Sequence, residues 1–372
     1  MSDIIRCKRC IMDNSSDNII TFDENGYCNY CNFALEYKKQ VYFPNEEGTH
    51  KLEELLLKMK TENKNKEFDC LMGVSGGLDS SYLLYLGHKW GLRILALHLD
   101  DGFDTEISKN NIRNLFAATK YDLINIKPDC EQFSALTKAY MRAGVPNLAV
   151  PQDNIIFAEI YKYAKNNDVS YFLSGFNFAL ECILQKGNTH TAFDLTNIKD
   201  IHKKFGEIPI DKLTLLSDFQ RIKNSKLLKI KTLRPLNYID YNRDRAFKEL
   251  SDFCGFEYYG SKHLENILTA FVQLYWFPKK FGVDKRTSHL SSMIISGQLS
   301  REEALEVYAK PIYSEEMMSR YIEIIKNQLS ISDEEFDQIM SSPSRQHTDY
   351  KVSAYTKHYK FIQFLKKLGF SA

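Results

Sequence analysis

The chain has 372 residues, with 49 Lys and Arg against 48 Asp and Glu, a net charge of +1, and is 44% hydrophobic and 26% charged. That composition is ordinary for a globular protein. The charge argues against a broad electrostatic footprint for nucleic acid, and no apolar run approaches the about 20 residues that span a bilayer. Met1 to Cys7 hold no apolar signal stretch, so a cytoplasmic, reducing location is expected, with no membrane partner.

Cys7-x-x-Cys10 and Cys28-x-x-Cys31 enclose 17 residues. A two-residue gap lets two thiolates of a tight turn reach one ion, and two such knuckles close a tetrahedron. Four protein ligands leave no open position, so a structural Zn²⁺ is expected in a ribbon-like segment, residues 1–45, too small for much of a core. Disulfides would need an oxidising compartment. Thr49 then opens a helical pattern, with Leu52, Leu55, Leu56 and Met59 at spacings of three and four, in a linker over 46–67.

From 68 to about 240, strand and helix signals alternate. Strands are expected over 69–74, 93–99, 121–126, 170–174 and 229–233, and helices over 79–90, 106–119, 131–142 and 153–166. Alternation predicts an α/β fold with a doubly wound parallel sheet, whose ligands bind beyond the carboxyl ends of the strands. Gly73-Val74-Ser75-Gly76-Gly77-Leu78-Asp79-Ser80-Ser81 falls at such an end. A Ser-Gly-Gly turn lets backbone N–H groups approach an anion, and the following helix N-terminus adds its dipole. No Gly-Lys-Ser/Thr is present to place a lysine for γ-phosphate transfer. The loop therefore suits a site that holds pyrophosphate while the α-phosphate reacts. Asp100 and Asp101, Ser174 and Gly175, and Arg234 before Pro235 mark later strand ends, whereas the polar residues 185–225 give no clear element.

Ser75-Gly76-Gly77-Leu78-Asp79-Ser80 resembles the SGGxDS signature of the PP-loop ATP pyrophosphatases, with their adenine nucleotide alpha hydrolase-like fold. These enzymes adenylylate a carbonyl-type oxygen and release pyrophosphate. The resemblance implies ATP and Mg²⁺, with Asp79 at the Mg²⁺ and Ser75, Gly76, Gly77, Ser80 and Ser81 at the phosphates. It further implies that Asp100, Ser174 and Gly175 flank the nucleotide. Arg234-Pro235-Leu236 is similar to a string of several such enzymes in which the cation offsets charge on the phosphates.

After 241 the pattern is mainly helical to residue 372, with Ser300-x-x-Glu303 and Ser332-x-x-Glu335 as capping boxes. The strings 259–266 and 279–291 are rich in side chains that do chemistry, although composition alone reads them as a solvated, mildly basic face. Together with Ser296-Gly297-Gln298 and Arg301-Glu302-Glu303-Ala304-Leu305 they resemble the C-terminal signature of the N-acetyl sugar amidotransferases. That bacterial PP-loop family makes acetamidino sugars for surface polysaccharides, lipopolysaccharide among them. The resemblance runs from Cys7 to about Leu305, departing with Ser261, Leu264 and Asn266 where the family has Gly, His and Ser.

The resemblance implies that an N-acetyl group on a nucleotide-activated sugar becomes acetamidino through an O-adenylyl intermediate. His263, Lys285, Arg286 and His289 then join Asp79 as catalytic residues, serving anionic substrate groups or proton transfer. Position 2 is Ser, and Cys70, Cys130, Cys182 and Cys254 lack the Gly-x-Cys-x-Gly setting of a glutaminase. Ammonia is therefore expected from a partner glutaminase, with or without a cyclase-like companion. Two other readings stay open. One is a PP-loop tRNA-modifying ligase of the thiolase type, against which stand the near-zero charge and the lack of a second CxxC within 68–240. The other is a zinc-dependent binding protein with a vestigial nucleotide site, against which stand Asp79 and Ser80.

Overall fold

Five strands, β1 (Cys70–Gly73), β2 (Ile94–Leu99), β3 (Leu123–Ile126), β4 (Tyr171–Leu173) and β5 (Lys231–Leu233), form one sheet in the computed structural model, which describes residues 4–260 and 264–358. Each falls inside its expected range. Helices α1 (Asn29–Val41) and α2 (Glu46–Glu62) precede the sheet. Between its strands run α3 (Leu78–Lys89), α4 (Glu106–Thr119), α5 (Cys130–Ala143), α6 (Val150–Asn166), the single turn α7 (Phe178–Glu181), α8 (Leu195–Phe205) and α9 (Asp218–Leu227). After it come α10 (Arg243–Cys254), α11 (Ile267–Phe271), a π-helical stretch Val272–Phe281, α12 (Arg286–Ser296), α13 (Arg301–Ala309), α14 (Glu315–Leu329), α15 (Asp333–Ser341) and the turn α16 (Ala354–Lys357). No helix among the described residues is long and apolar enough to cross a membrane.

The strand order is β3-β2-β1-β4-β5 and every pairing is parallel, with Met72 opposite Ala96 on one side and Leu173 on the other. Alternate strand residues enter different cores. Cys70, Met72, Ile94 and Ala96 pack with Leu83 and Leu84 of α3, whereas Leu71, Leu95 and Leu97 pack with Ile160 and Ala164 of α6. Apolar side chains on both faces are what a parallel sheet covered by helices requires. The order reverses between β1 and β4, and a crevice opens at that switch point beyond the strand ends.

Two helices, α8 and α9, fall in or begin in the stretch 185–225, where the sequence gives no clear element. The apolar stripe of α8 is narrow: Ile198 and Ile201 are buried and Leu195 is partly so, among polar neighbours. Asp194 caps it through the Asn197 N–H at 3.0 Å. Helix α9 starts with a full capping box, Ser217 and Gln220, a signal the sequence does carry.

A second core joins α5 and α8 to α11, the π-helical stretch, α14 and α15, around Phe133, Tyr140, Phe271 and Trp276. The cysteine-rich segment shares the first core with α2, α3 and α12. It is tied to the C-terminal half by the Ile11 N–H donating to Ser291 Oγ at 3.2 Å and by Arg301 donating to the Cys7 and Cys10 carbonyls. The described part of the cysteine-rich segment and residues 286–309 thus pack as neighbours. Ser300 and Glu303 form the expected capping box, but at Ser332 only half of one exists. There Glu335 turns instead to Arg142 and Lys138, because two cations outcompete one backbone N–H.

Candidate active site

The Ser75–Ser80 loop leaves β1 beside the switch point. Gly76 has φ +77, a left-handed conformation that favours glycine, and a Cβ on Gly77 would meet Glu265 Oε1 at 2.5 Å. Side chains hold the turn closed on itself. Ser80 Oγ accepts from the Ser75 N–H and Ser75 Oγ from the Gly77 N–H, each at 3.2 Å, and Ser108 Oγ donates to the Ser75 carbonyl. Gly175 of the β4 loop approaches so closely that a Cβ there would sit 3.3 Å from Ser80 N. Ser174 serves this second loop as a turn residue, its Oγ accepting from the Phe176 N–H at 3.3 Å. Ser81 is fully buried within α3 and turned away from the loop cavity.

Ser75, Gly77, Asp79, Ser80, Gly175 and Phe176 line one cavity with Glu181, Tyr259 and Glu265. Tyr241, from the turn after β5, donates its hydroxyl to Asp79 Oδ1. Burial, followed by the Asp79 charge, holds that hydroxyl well above its ordinary pKa, so it stays a donor. Gln298 fixes Tyr241 in turn: its amide donates to the Tyr241 carbonyl at 3.0 Å and accepts from the Arg243 N–H at 3.2 Å. Tyr259 accepts from the Leu78 N–H at 2.7 Å, and Glu265 accepts from Ser75 Oγ at 3.2 Å. Among the described residues the lining carries three carboxylates, Asp79, Glu181 and Glu265, and no lysine or arginine. A triphosphate would be repelled there without a divalent cation, so this donor set fits Mg²⁺ with ATP. Arg234 stands behind Phe176, its guanidinium 4.8 Å from the ring centroid and its buried Nε without a hydrogen-bond partner.

On the β2 side, Ser75, Ser80 and Glu265 also border a cavity of about 440 Å³ lined by His98, Leu99, Asp104, Gln152, Ile156 and Gln273. Both nitrogens of the buried His98 face acceptors, Nδ1 the Val74 carbonyl and Nε2 Asp104, each at 2.8 Å. Two acceptors call for two protons. Burial opposes the imidazolium, but Asp104 outweighs it and raises the His98 pKa. Asp101 lies just behind, held by Gln152 at 2.5 Å and Asn266 at 3.1 Å, and burial pushes its carboxyl up to about 6. Asp100 is not brought to the cleft. It pairs with Lys127 at 3.1 Å, which outweighs its partial burial and keeps it below the usual carboxylate range.

A third cavity meets the first at Glu181 and the second at Gln273, and is walled by Leu180, Ile183, Leu184, Leu264 and Leu274. Lys285, Arg286 and His289 all line it. Lys285 stands 4.7 Å from the Phe277 ring centroid, and burial lowers its pKa to about 8. His289 Nδ1 lies 3.3 Å from the Leu180 carbonyl. The Arg286 guanidinium is engaged by both oxygens of Asp284 and by the Lys310 carbonyl. His263, with Ser261 and Lys262, lies outside the described residues. Tyr241, Glu181, Tyr259, Glu265 and His98 were not singled out from the sequence. Glu265 and Tyr259 stand inside the string 259–266 and His98 in the string 97–102 that ends the second expected strand, but Tyr241 and Glu181 have no local pattern.

Cys7, Cys10, Cys28 and Cys31 are buried, with their Sγ atoms all within 4.8 Å of one another. The Cys7–Cys31 and Cys10–Cys28 separations are 3.7 and 3.6 Å. A tetrahedron with Zn–S bonds of about 2.3 Å has edges near 3.8 Å, whereas a disulfide needs about 2.05 Å. N–H groups of Arg9, Cys10 and Cys28 point at Cys7 Sγ at 3.2–3.5 Å, the outer support a thiolate ligand uses. The cluster is compatible with zinc.

Residues 265–368 match a family described as LPS biosynthesis protein WbpG-like, C-terminal domain. An uncharacterized protein of Methanocaldococcus jannaschii is 22% identical over 309 residues, covering 82% of this chain and 94% of that protein. Among solved structures, NMN synthetase from Francisella tularensis aligns with 78% of this chain and 95% of its own, at 17% identity and a TM-score of 0.31. NH3-dependent NAD synthetase from Campylobacter jejuni subsp. jejuni aligns with 55% and 83%, at 15% identity and a TM-score of 0.29. The matched domain begins at Glu265 and supplies Asn266, Gln273, Lys285 and His289 to the cleft, the region where the sequence carries its signature strings. This C-terminal stretch is therefore similar to the C-terminal domain of the WbpG-like LPS biosynthesis proteins.

Proposed function

We propose that the protein is an ATP-dependent, AMP-forming ligase that converts an N-acetyl group of a nucleotide-activated sugar to an acetamidino group. One observation carries this reading: the Ser75–Ser80 loop cavity borders the His98 cavity at Ser75, Ser80 and Glu265, and the Lys285–His289 cavity at Glu181. Nucleotide and acceptor would meet where the α-phosphate lies. The family match to LPS biosynthesis supports a sugar-related acceptor.

Amide oxygen is a poor leaving group, so direct displacement by ammonia is slow. In the proposed reaction the acetyl oxygen attacks the α-phosphate and the bond to the β-phosphate breaks. Pyrophosphate leaves toward the loop serines, Ser75 and Ser80. Ammonia adds to the resulting imidate carbon, AMP departs with the former acetyl oxygen, and the acetamidine keeps the added nitrogen. Asp79, oriented by Tyr241, is assigned to hold Mg²⁺, which screens the phosphates from Glu181 and Glu265. The loop and Gly175 position the phosphates, Arg234 adds charge behind Phe176, and His289 is placed for proton transfer on the acceptor side. Ammonia is assigned to a partner glutaminase. The four cysteines are assigned a structural Zn²⁺ that stands in for a core in their segment.

The test is pyrophosphate and AMP release by the purified chain given ATP, Mg²⁺, UDP-N-acetylglucosamine or a related sugar nucleotide, and ammonium. Release should require the acceptor, follow the NH₃ fraction as pH rises, and vanish in Asp79→Ala with an unchanged far-UV circular dichroism spectrum. Glutamine alone should not replace ammonium. Release that needs tRNA instead of a sugar nucleotide, or formation of ADP, would overturn the assignment.

A further inference from the structure

Among the described residues, Glu181 alone lines both the Ser75–Ser80 loop cavity and the Lys285–His289 cavity, and it is the one carboxylate in the lining of the latter. It is the last residue of the single turn α7, and its Oε2 accepts from the Asn177 N–H at 3.3 Å, which fixes one oxygen of the carboxylate. Asp79 and Glu265, the other carboxylates of the loop cavity, do not line the Lys285–His289 cavity. The proposed reaction changes charge at this junction. An N-acetyl group is neutral, whereas the acetamidino product is a planar cation. Its N–H groups match a carboxylate in the two-pronged geometry that arginine and carboxylate adopt. Asp79 is assigned the Mg²⁺, so a second carboxylate on the acceptor side calls for a second cation, one that forms there.

From this we infer that Glu181 is a catalytic residue of the second half of the reaction: it takes the proton that ammonia must lose on adding to the imidate carbon, and it pairs with the amidinium that results. This rests on the proposed sugar ligase and adds a group to its chemistry. Attack of the acetyl oxygen on the α-phosphate leaves an O-adenylyl imidate protonated on nitrogen. The ammonia lone pair then forms the new C–N bond, and the added nitrogen, now positive, gives one proton to the Glu181 carboxylate. The C–O bond breaks next. Its electron pair leaves with AMP, the lone pair of the added nitrogen forms the C=N bond, and the acetamidinium carries the positive charge. The Glu181 proton passes to the departing phosphate, which restores a carboxylate beside the new cation. Apolar walls of Leu180, Ile183 and Leu264 limit water at that pair and strengthen it.

The test separates the two halves of the reaction in the full-length protein, given ATP, Mg²⁺ and whichever sugar nucleotide supports pyrophosphate release. The first half is read without ammonium, as acceptor-dependent exchange of labelled pyrophosphate into ATP. The second is read with ammonium, as acetamidino product by mass spectrometry. Glu181→Gln keeps the side chain's size and removes the base. Product formation should fall about 100-fold, within the range that general-base catalysis contributes, while exchange falls less than tenfold. Hydroxylamine in place of ammonium gives an adduct nitrogen that is a stronger acid and sheds its proton to water unaided. The Glu181→Gln defect should therefore shrink at least fivefold with hydroxylamine, whereas a merely structural role would slow both nucleophiles alike. Glu181→Asp, which keeps a base, should form product at least tenfold faster than Glu181→Gln. The inference is overturned by equal losses of exchange and product, by equal losses with the two nucleophiles, or by Glu181→Asp no faster than Glu181→Gln. Its failure is separable from that of the ligase reading. Parent protein without acceptor-dependent exchange removes both, whereas parent exchange beside a Glu181→Gln that forms product as fast as the parent removes the inference alone.

Discussion

Tyr241→Phe should weaken catalysis far more than it weakens the fold. The ring sits fully buried, with Tyr82 at 5.7 Å between centroids, and phenylalanine preserves that packing. What is lost is the hydroxyl donated to Asp79. A hydrogen bond to a charged group is worth about 1.5–3 kcal/mol, or roughly 10- to 150-fold in a rate or binding constant. Asp79 is only partly buried, so water or an ion can satisfy its released oxygen in the resting enzyme, and the unfolding free energy should drop by about 1 kcal/mol or less. Asp79 loses the contact through which Tyr241 orients it, so the loss should appear in turnover and in the Mg²⁺ requirement. The assay is acceptor-dependent pyrophosphate release across a Mg²⁺ titration, beside urea denaturation of both proteins. The expected result is a fall in kcat/KM of at least tenfold with a raised half-saturating Mg²⁺ concentration. If kcat/KM and the Mg²⁺ half-saturation both stay within a factor of two of the parent, Tyr241 does not position Asp79 and the reasoning is wrong.

Protein purified without added zinc should carry about one zinc per chain, and Cys28→Ser should lose it and loosen the first 45 residues before the rest. Metal analysis with hydrogen exchange checks this; oxidised thiols with less than a tenth of an equivalent would instead indicate disulfides. The His98–Asp104 pair should make stability pH-dependent. Its folded pKa is raised, so its contribution is complete below the ordinary imidazole value of about 6.5 and is lost as pH rises through the folded value. Urea denaturation should therefore show His98→Gln costing more at pH 6 than at pH 9, and an equal cost at both would mean that His98 is buried neutral.

Strand and helix placement was legible over 68–240, residues 185–225 apart, because two-sided apolar runs and strong helical periodicity are local signals. The cleft was less so. Asp79 and the glycines form a contiguous string, but the residue that orients Asp79 lies 162 positions away, and only the tertiary fold brings Tyr241 to it. His98 and Asp100 are two positions apart and would share a face in a continuing strand, but β2 ends at Leu99. Past that strand end the backbone leaves the sheet, so His98 lines the cavity while Asp100 turns to Lys127. The signature residues after 295 turn out to be ties rather than ligands: Gln298 fixes Tyr241, and Arg301 binds the carbonyls of two cysteines. Arginine and glutamine in a dense string look the same in sequence whether they hold a substrate or the backbone.

The central claim is that the acceptor's acetyl oxygen attacks the α-phosphate of ATP. An acceptor labelled with ¹⁸O in its acetyl group tests it directly, with mass spectrometry of the nucleotide product. The mechanism predicts AMP carrying one ¹⁸O for each acetamidine formed. Unlabelled AMP beside amidinated product, or label appearing in inorganic phosphate with ADP, would contradict it.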